Sequence, residues 1–181
     1  MTAVITGADN QLTAVVARAV MGDEIAFAQI IRANHDVMTR VCFLACGDLD
    51  LADEAVQAAW TVAWAKLGTL RDASRLRPWL VSVAANEARQ LLRRRRRRVV
   101  VELQMARAGA DDPDPAGSVQ DIDLANALAR LDPDDRALLA MRYVAGFNSS
   151  ELAIATGRSA SGTRARFARL LSRLRTELAD V

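Results

Sequence analysis

FNSSELAIATGRSASGTRARFARLLSRLRTEL, residues 147–178, decides the fold. Asn148 and Glu151 stand three apart ahead of Leu152, Ala153 and Ile154, a variant of the reciprocal box that caps a helix start. Gly157 supplies a turn, and Ser159 caps a final long helix that ends near Leu178. A short helix, a tight turn with glycine and a capped helix loaded with arginine make the pattern of a helix-turn-helix, whose second helix lies in the major groove of DNA. Its exposed residues are Ser161, Arg164, Arg166, Arg169 and Arg173, and Phe167, Leu170, Leu171 and Leu174 hold its other face on a core. Arginine pairs with guanine edges or phosphates, and small Ser and Gly allow close approach. The competing reading is a basic surface helix in some other helical domain.

Upstream, Pro133 opens a helix that runs to about Val144 and breaks at Gly146, and Asp121 to Leu131 forms a shorter one. Residues 99–121 change character. VVVELQ reads as a short continuation or an extended stretch, and AGADDPDPAGS is a linker by composition, without any period. Before it, six consecutive arginines, Arg93 to Arg98, finish a helix that starts at about Pro78. Leu80, Val83, Ala84 and Leu91 face inward on that helix, while Ser82, Asn86, Arg89 and Arg93 share the opposite face. Residues 68–77, GTLRDASRLR, are a polar, Arg-rich loop that ends the preceding helix, Leu51 to Leu67. That helix buries Ala52, Val56, Ala59, Trp60, Ala63 and Leu67 and turns Asp53, Gln57, Thr61 and Trp64 to another face. The helix before it opens at Asp23 with apolar positions at three-and-four spacing and stops at Gly47. Residues 1–10 read as a loose tail, followed by a weak helix over Gln11 to Val20.

The pattern is all-α: two small helical domains, 21–98 and 121–181, joined by a flexible acidic linker at 99–120 and preceded by a tail and weak helix at 1–20. Half of the 181 residues are hydrophobic but only 4% are aromatic, which suits helices over strands. The charge is uneven. Residues 1–98 carry +4, residues 99–121 carry −4 and residues 122–181 carry +2, so two mildly basic lobes flank an acidic strap. Of the basic residues 23 are Arg and one is Lys66, a skew that, with the alanine content, leads to the expectation of a GC-rich, actinobacterial source.

The arginine run exceeds what a helix end needs to offset its dipole and favours contact with a nucleic-acid backbone, where each neutralised phosphate releases counterions. It adjoins the 68–77 loop and the Asn86 face. Trp79 there either stacks a base or fills the core, and single-strand readers combine such platforms with basic tracks. Asp53, Gln57 and Trp64 make a mixed acidic, amide and aromatic stripe of the kind that anchors a protein partner, or an ordinary helix surface.

Catalysis finds no support. The chain has no Gly-rich phosphate loop, no nucleophile–histidine set and no metal-ligand spacing, and the expectation is no enzyme, no cofactor and no metal. Cys42 and Cys46, one turn apart, read as small buried hydrophobes rather than as a redox pair or half a metal site with His35, the only histidine. No apolar run approaches a membrane span, and the N-terminus lacks a signal-peptide pattern, so a cytoplasmic chain is expected.

GDEIAFAQII, LADEAVQAAWTVAWAKL, RPWLVSVAANEARQLLRRRRR and ALARLDPDDRALLAMRYVAGFNSSELAIATGRS, in that order and at those distances, resemble the extracytoplasmic-function (ECF) family of bacterial RNA polymerase sigma factors. Arg164, Arg166, Phe167 and Arg169 keep the family positions for Lys, Arg, Leu and Arg. Gly162-Thr163 is displaced by one, Gln90 stands where the family often has Asp, and Asp132 separates the usual Leu-Pro pair.

The resemblance implies a transcription initiation factor. Its partners are core RNA polymerase, through the largest and second-largest subunits, promoter DNA, and an anti-sigma protein. The helix with Asp53, Gln57, Trp60 and Trp64 is expected to bind the polymerase clamp. Arg71, Arg75, Arg77, Trp79, Asn86, Arg89 and Arg93 are expected to hold the unpaired −10 element. Ser159, Ser161, Thr163, Arg164, Arg166 and Arg169 are expected to read the −35 duplex. The acidic linker threads toward the basic polymerase cleft. A stand-alone helix-turn-helix regulator, or a helical protein binding an acidic partner, are the other readings.

Overall fold

Most helices begin where a short polar side chain takes up the first unpaired amides. Asp23 accepts from the Ala26 amide at 3.0 Å and starts α2 (Glu24–Cys46), and Asp48 accepts from Leu51 at 3.1 Å and starts α3 (Leu49–Lys66). Between them Gly47 takes the left-handed conformation, φ 72°, and its amide closes α2 on the Phe43 carbonyl. A further helix, α1 (Ala3–Val20), precedes these. After α3 come two 3-10 turns, Leu67–Thr69 and Ala73–Arg75, and then α4 (Leu76–Met105). The rear lobe has a helical turn at 127–130, then α5 (Pro133–Tyr143), α6 (Ser149–Thr156) and α7 (Ala160–Ala179).

The computed structural model describes residues 3–105 and 127–179, and no strand occurs among them. The all-helical, two-domain expectation therefore stands. Three boundaries differ. α1 starts at Ala3 rather than Gln11, because no proline in that stretch forbids a helix. α4 starts at Leu76, which leaves Pro78 in the first turn, where a missing N–H breaks no helical bond. It then runs past Arg98 through the three valines to Met105, since nothing there stops it. The linker over 106–120 and the helix start at Asp121 lie outside the described residues.

The front core is built from alanine as much as from large side chains. Ala26, Ala45, Ala52, Ala55, Ala59, Ala63, Ala84, Ala85 and Ala88 are all fully buried, and Met38, Val41, Val56, Leu67 and Leu80 fill the spaces between the closely approaching helices. Asn34, buried among them, donates to its own helix at the Ile30 carbonyl, 2.8 Å.

The two lobes are docked, which two lobes on a loose strap would not require. α2 lies along α5, and α4 lies along α6. Arg136 of α5 pins them. Its Nε and Nη2 donate to the Ala45 carbonyl at 3.0 and 2.8 Å, across the lobe boundary, and its Nη1 reaches the Ala129 and Leu131 carbonyls at 3.1 Å within its own lobe. A second tie, Arg89 Nη1 to Asp134 Oδ1 at 3.4 Å, joins α4 to the start of α5. An apolar cavity of about 300 Å³, lined by Leu44, Leu128, Leu139, Tyr143 and Leu171 among others, lies between the lobes.

Candidate nucleic-acid interface

The rear lobe places a short helix and a long one around a glycine corner. The Asn148 side chain accepts from the Ser150 and Glu151 amides at 2.9 and 3.0 Å, and Glu151 returns a bond by accepting from the Asn148 amide at 2.7 Å. This reciprocal box fixes where α6 starts. The approach to it is set by Gly146, φ 73°, and by Arg142, whose Nη1 donates to the Phe147 carbonyl at 2.7 Å. At the other end Gly157, φ 64°, reverses the chain. Ser159 Oγ then accepts from the Gly162 amide at 3.1 Å and starts α7. A Cβ at position 162 would sit 3.0 Å from that same Oγ, so glycine there keeps the cap open.

α7 presents Ser161, Arg164, Ala165, Ala168, Arg169, Ser172 and Arg173 outward. Thr163 does not belong with them. Its side chain is 1% exposed and donates to the Ser159 carbonyl at 3.0 Å. The reason is periodicity: residues 163, 167, 170 and 174 form the inward stripe, so the threonine is a core residue rather than a contact to the −35 duplex. Ser159 is exposed, with its hydroxyl engaged as the cap and 3.3 Å from Ser161 Oγ. Arg166 is not free either. Its Nε and Nη2 stand 2.7 and 2.6 Å from Asp135 Oδ1. No carboxylate among the described residues forms a salt bridge with Arg164 or Arg169.

In the front lobe, the loop after α3 is held by Asp72, which accepts from the Ser74 hydroxyl at 2.6 Å and its amide at 3.0 Å, with Arg75 at 3.3 Å. The Ser74 bonds, and then the arginine, keep the Asp72 carboxyl below its ordinary range. Arg71, Arg75 and Arg77 around it are exposed. α4 shows Asn86 and Arg93 outward and half-buries Trp79 and Arg89, the latter between the Ala85 carbonyl (3.1 Å) and Asp134. Ser82 donates to the Trp79 carbonyl at 2.7 Å. Within the arginine run Arg95 serves the fold, because its Nη1 lies 2.6 Å from Asp48 Oδ2 and ties α4 to the start of α3. The Leu51 amide and then Arg95 hold the Asp48 carboxyl below the usual range.

On α3, Asp53, Gln57 and Thr61 are exposed and Trp64 is 45% exposed. Phe27 orders both tryptophans edge-on, at ring distances of 5.9 Å for Trp60 and 4.7 Å for Trp64. Trp60 sits deeper than Trp64 and donates its indole N–H to His35 Nδ1 at 3.3 Å.

Cys42 and Cys46 are both buried and unbridged. Burial pushes the Cys42 thiol up to about 12 and the Cys46 thiol up to about 11, so both are protonated at neutral pH and neither is an activated nucleophile there. No described helix is long and apolar enough to cross a membrane.

A set of aspartates that engages these arginines carries no clear sequence signal. Asp134 and Asp135 stand in the first turn of α5 beside its cap Asp132 and face Arg89, Arg166 and Arg173. Only acids in the first turn of a helix hint at it, and those usually serve the helix dipole.

Residues 30–98 match the family described as sigma-70 region 2, and residues 121–174 match sigma-70, region 4. The "Probable RNA polymerase sigma factor RfaY" of Xanthomonas campestris is 27% identical over 88% of the chain, which spans 42% of that protein's length. The ECF RNA polymerase sigma factor SigM of Mycobacterium tuberculosis is 30% identical over 87% of the chain and 83% of its own length. Among solved structures, the sigma factor RpoE from Bartonella quintana, in complex with the anti-sigma factor NepR, superposes with a TM-score of 0.67 at 25% identity, over 84% of this chain and 96% of that one.

Proposed function

The chain belongs to the ECF-type RNA polymerase sigma factors, and from that membership we propose that it gives core RNA polymerase its choice of promoter and helps to melt it. The observation that carries this reading is the presence, on one chain, of two separate basic helical faces: Asn86 to Arg93 on α4, and Ser161 to Arg169 on α7. The α7 face enters the major groove of the −35 duplex, with Ser161, Arg164 and Arg169 outermost. The α4 face, with Trp79 and the Arg71–Arg77 loop, holds −10 bases taken out of the stack. Unstacking costs a few kcal/mol per base, and only a site that binds the extruded base recovers it. Melting and sequence choice are thereby coupled. The exposed stripe of Asp53, Gln57 and Trp64 takes the clamp of the largest polymerase subunit, and the rear lobe rides on the second-largest.

One molecule must reach both elements. Their names place them about 25 base pairs apart, roughly 85 Å along B-form DNA. In the docked chain Arg89 and Arg166 line one cleft. The lobes therefore part on the polymerase. An anti-sigma protein is a further partner, by analogy with RpoE, whose structure is a complex with the anti-sigma factor NepR. The excess of arginine over lysine supports an actinobacterial source, and the lack of a membrane-crossing helix among the described residues is consistent with a cytoplasmic site of action.

Run-off transcription with purified core polymerase and a genomic promoter library tests the proposal. Specific transcripts that require the chain are expected. Tight duplex binding without polymerase, and no transcript, would return the chain to the stand-alone regulators.

A further inference from the structure

Arg166 stands where the proposed −35 reading puts a base contact, yet its guanidinium is already engaged inside the protein. Nε and Nη2 meet Asp135 Oδ1 at 2.7 and 2.6 Å, and Nη2 lies 3.6 Å from Asp132 Oδ1. The Asp135 side chain is only 9% exposed and that of Arg166 24%. One α7 face continues the arrangement: Arg173, two turns on, places Nη1 3.9 Å from Asp135 Oδ2. A carboxylate this deep is not surrendered to solvent, because a buried charge without its partner is costly. A phosphate or a guanine edge would have to draw Arg166 away from it.

We propose that Arg166 is a positioning residue for −35 recognition: with Asp135 it sets the roll of α7 on α5, and so fixes which side chains face the groove, without itself touching DNA. Arg166, bonded to a carboxylate fixed in the first turn of α5, sets the rotation of α7 about its axis, and Arg173 at 3.9 Å adds a weaker electrostatic pull on the same face. The inward stripe with Leu170 and Leu174 fixes that rotation coarsely, and the directional bonds from Arg166 to Asp135 narrow it. This inference rests on the proposed reading of α7 as the −35 helix.

The test uses the full chain assembled with core RNA polymerase and a pool of randomised duplexes about two helical turns long, selected and sequenced. Anisotropy titrations of the enriched and a scrambled duplex follow, across KCl concentrations. Wild-type chain, Arg166→Gln, Asp135→Asn and the double variant are compared, with circular dichroism to check folding. A positioning pair predicts that each single variant lowers the enriched-to-scrambled affinity ratio severalfold, and that the double variant is no worse than either single. It also predicts a salt slope for Arg166→Gln equal to that of wild type, because no phosphate contact is lost.

A DNA contact by Arg166 predicts the reverse. For a phosphate contact the slope drops by about 0.9, and for either kind of contact, phosphate or guanine edge, Asp135→Asn, which releases the guanidinium, tightens binding to the enriched duplex and raises the affinity ratio. Either result overturns the inference alone. If the ratio is unchanged in both single variants, the pair is merely structural and the inference also fails. Should Arg166→Gln not fold, the sign of the Asp135→Asn effect decides. A wild-type chain that enriches no sequence when assembled with core polymerase, beyond what core polymerase enriches alone, would instead overturn the −35 reading, and the inference with it.

Discussion

Replacing Arg136 by alanine tests whether the docked arrangement of the lobes is held as described. The side chain gives the Ala45 carbonyl two donors across the lobe boundary, at 3.0 and 2.8 Å. Both fall on one oxygen, so they count as one strong charge-assisted hydrogen bond, about 2 kcal/mol. Loss of that amount shifts the docked-to-parted ratio by roughly thirtyfold. Cys46 reports the shift, because it is buried one residue from Ala45 and close enough to Arg136 to feel its charge.

The sign of the change is diagnostic. Burial raises the Cys46 thiol to about 11, and the Arg136 charge works against that rise. If Arg136 acted only through its charge, alanine would leave the thiol still harder to ionise, and alkylation at mildly basic pH would slow. If it pins the lobes, parting exposes the thiol and returns it toward its ordinary value of 9.0, and alkylation accelerates by up to roughly thirtyfold. Mass spectrometry of iodoacetamide-labelled peptides separates Cys46 from Cys42. A rate equal to or below that of wild type, with unchanged helicity, would refute the assignment.

Other outcomes follow from single sites. Asp48→Ala removes the α3 cap and the Arg95 tie, and thermal unfolding at neutral pH should show a loss of about 1 kcal/mol. Because the folded Asp48 carboxyl is held below its ordinary 3.8, this contribution is complete above that value and is lost as the pH falls through the lower folded one, so the difference between variant and wild type should vanish in strong acid. Asn148→Ala breaks the reciprocal box and should cost about 1 kcal/mol in urea unfolding of the rear lobe. It should weaken −35 duplex binding in proportion to the unfolded fraction; a full loss of binding with intact stability would contradict a purely structural cap. Asp53→Ala combined with Gln57→Ala touches only exposed positions, so stability should stay within about 0.5 kcal/mol of wild type while polymerase capture in a pull-down falls; undiminished capture would remove the α3 stripe from the interface.

Helices with a strong stop or cap are readable from residues alone. Asp23, Gly47, Asn148, Gly157 and Ser159 each do in the structure what their chemistry suggests. Where such signals are absent, boundaries drift: α1 and α4 extend because no stop or cap in the sequence ends them. The outward placement of Asn86, Arg164 and Asp53 is legible because helical spacing separates inward from outward positions. Thr163 is misplaced by the family resemblance and corrected by spacing, since it shares a stripe with Leu170 and Leu174. The ties Arg136–Ala45, Arg89–Asp134 and Arg166–Asp135 span 91, 45 and 31 residues of sequence, and no local pattern encodes a partner that far away.

The aspartates at the start of α5 also bear on how the chain behaves among the bulk of chromosomal DNA. A genome offers on the order of 10⁶–10⁹ sites to any basic protein, and sequestration there grows with the number of cations available. By occupying Arg89 and Arg166 with its own carboxylates, the molecule carries a smaller effective cationic surface than its arginine content suggests. Copies not engaged with polymerase are thereby less prone to titration by random sequence, and more of them stay in the pool from which a new round of initiation can draw.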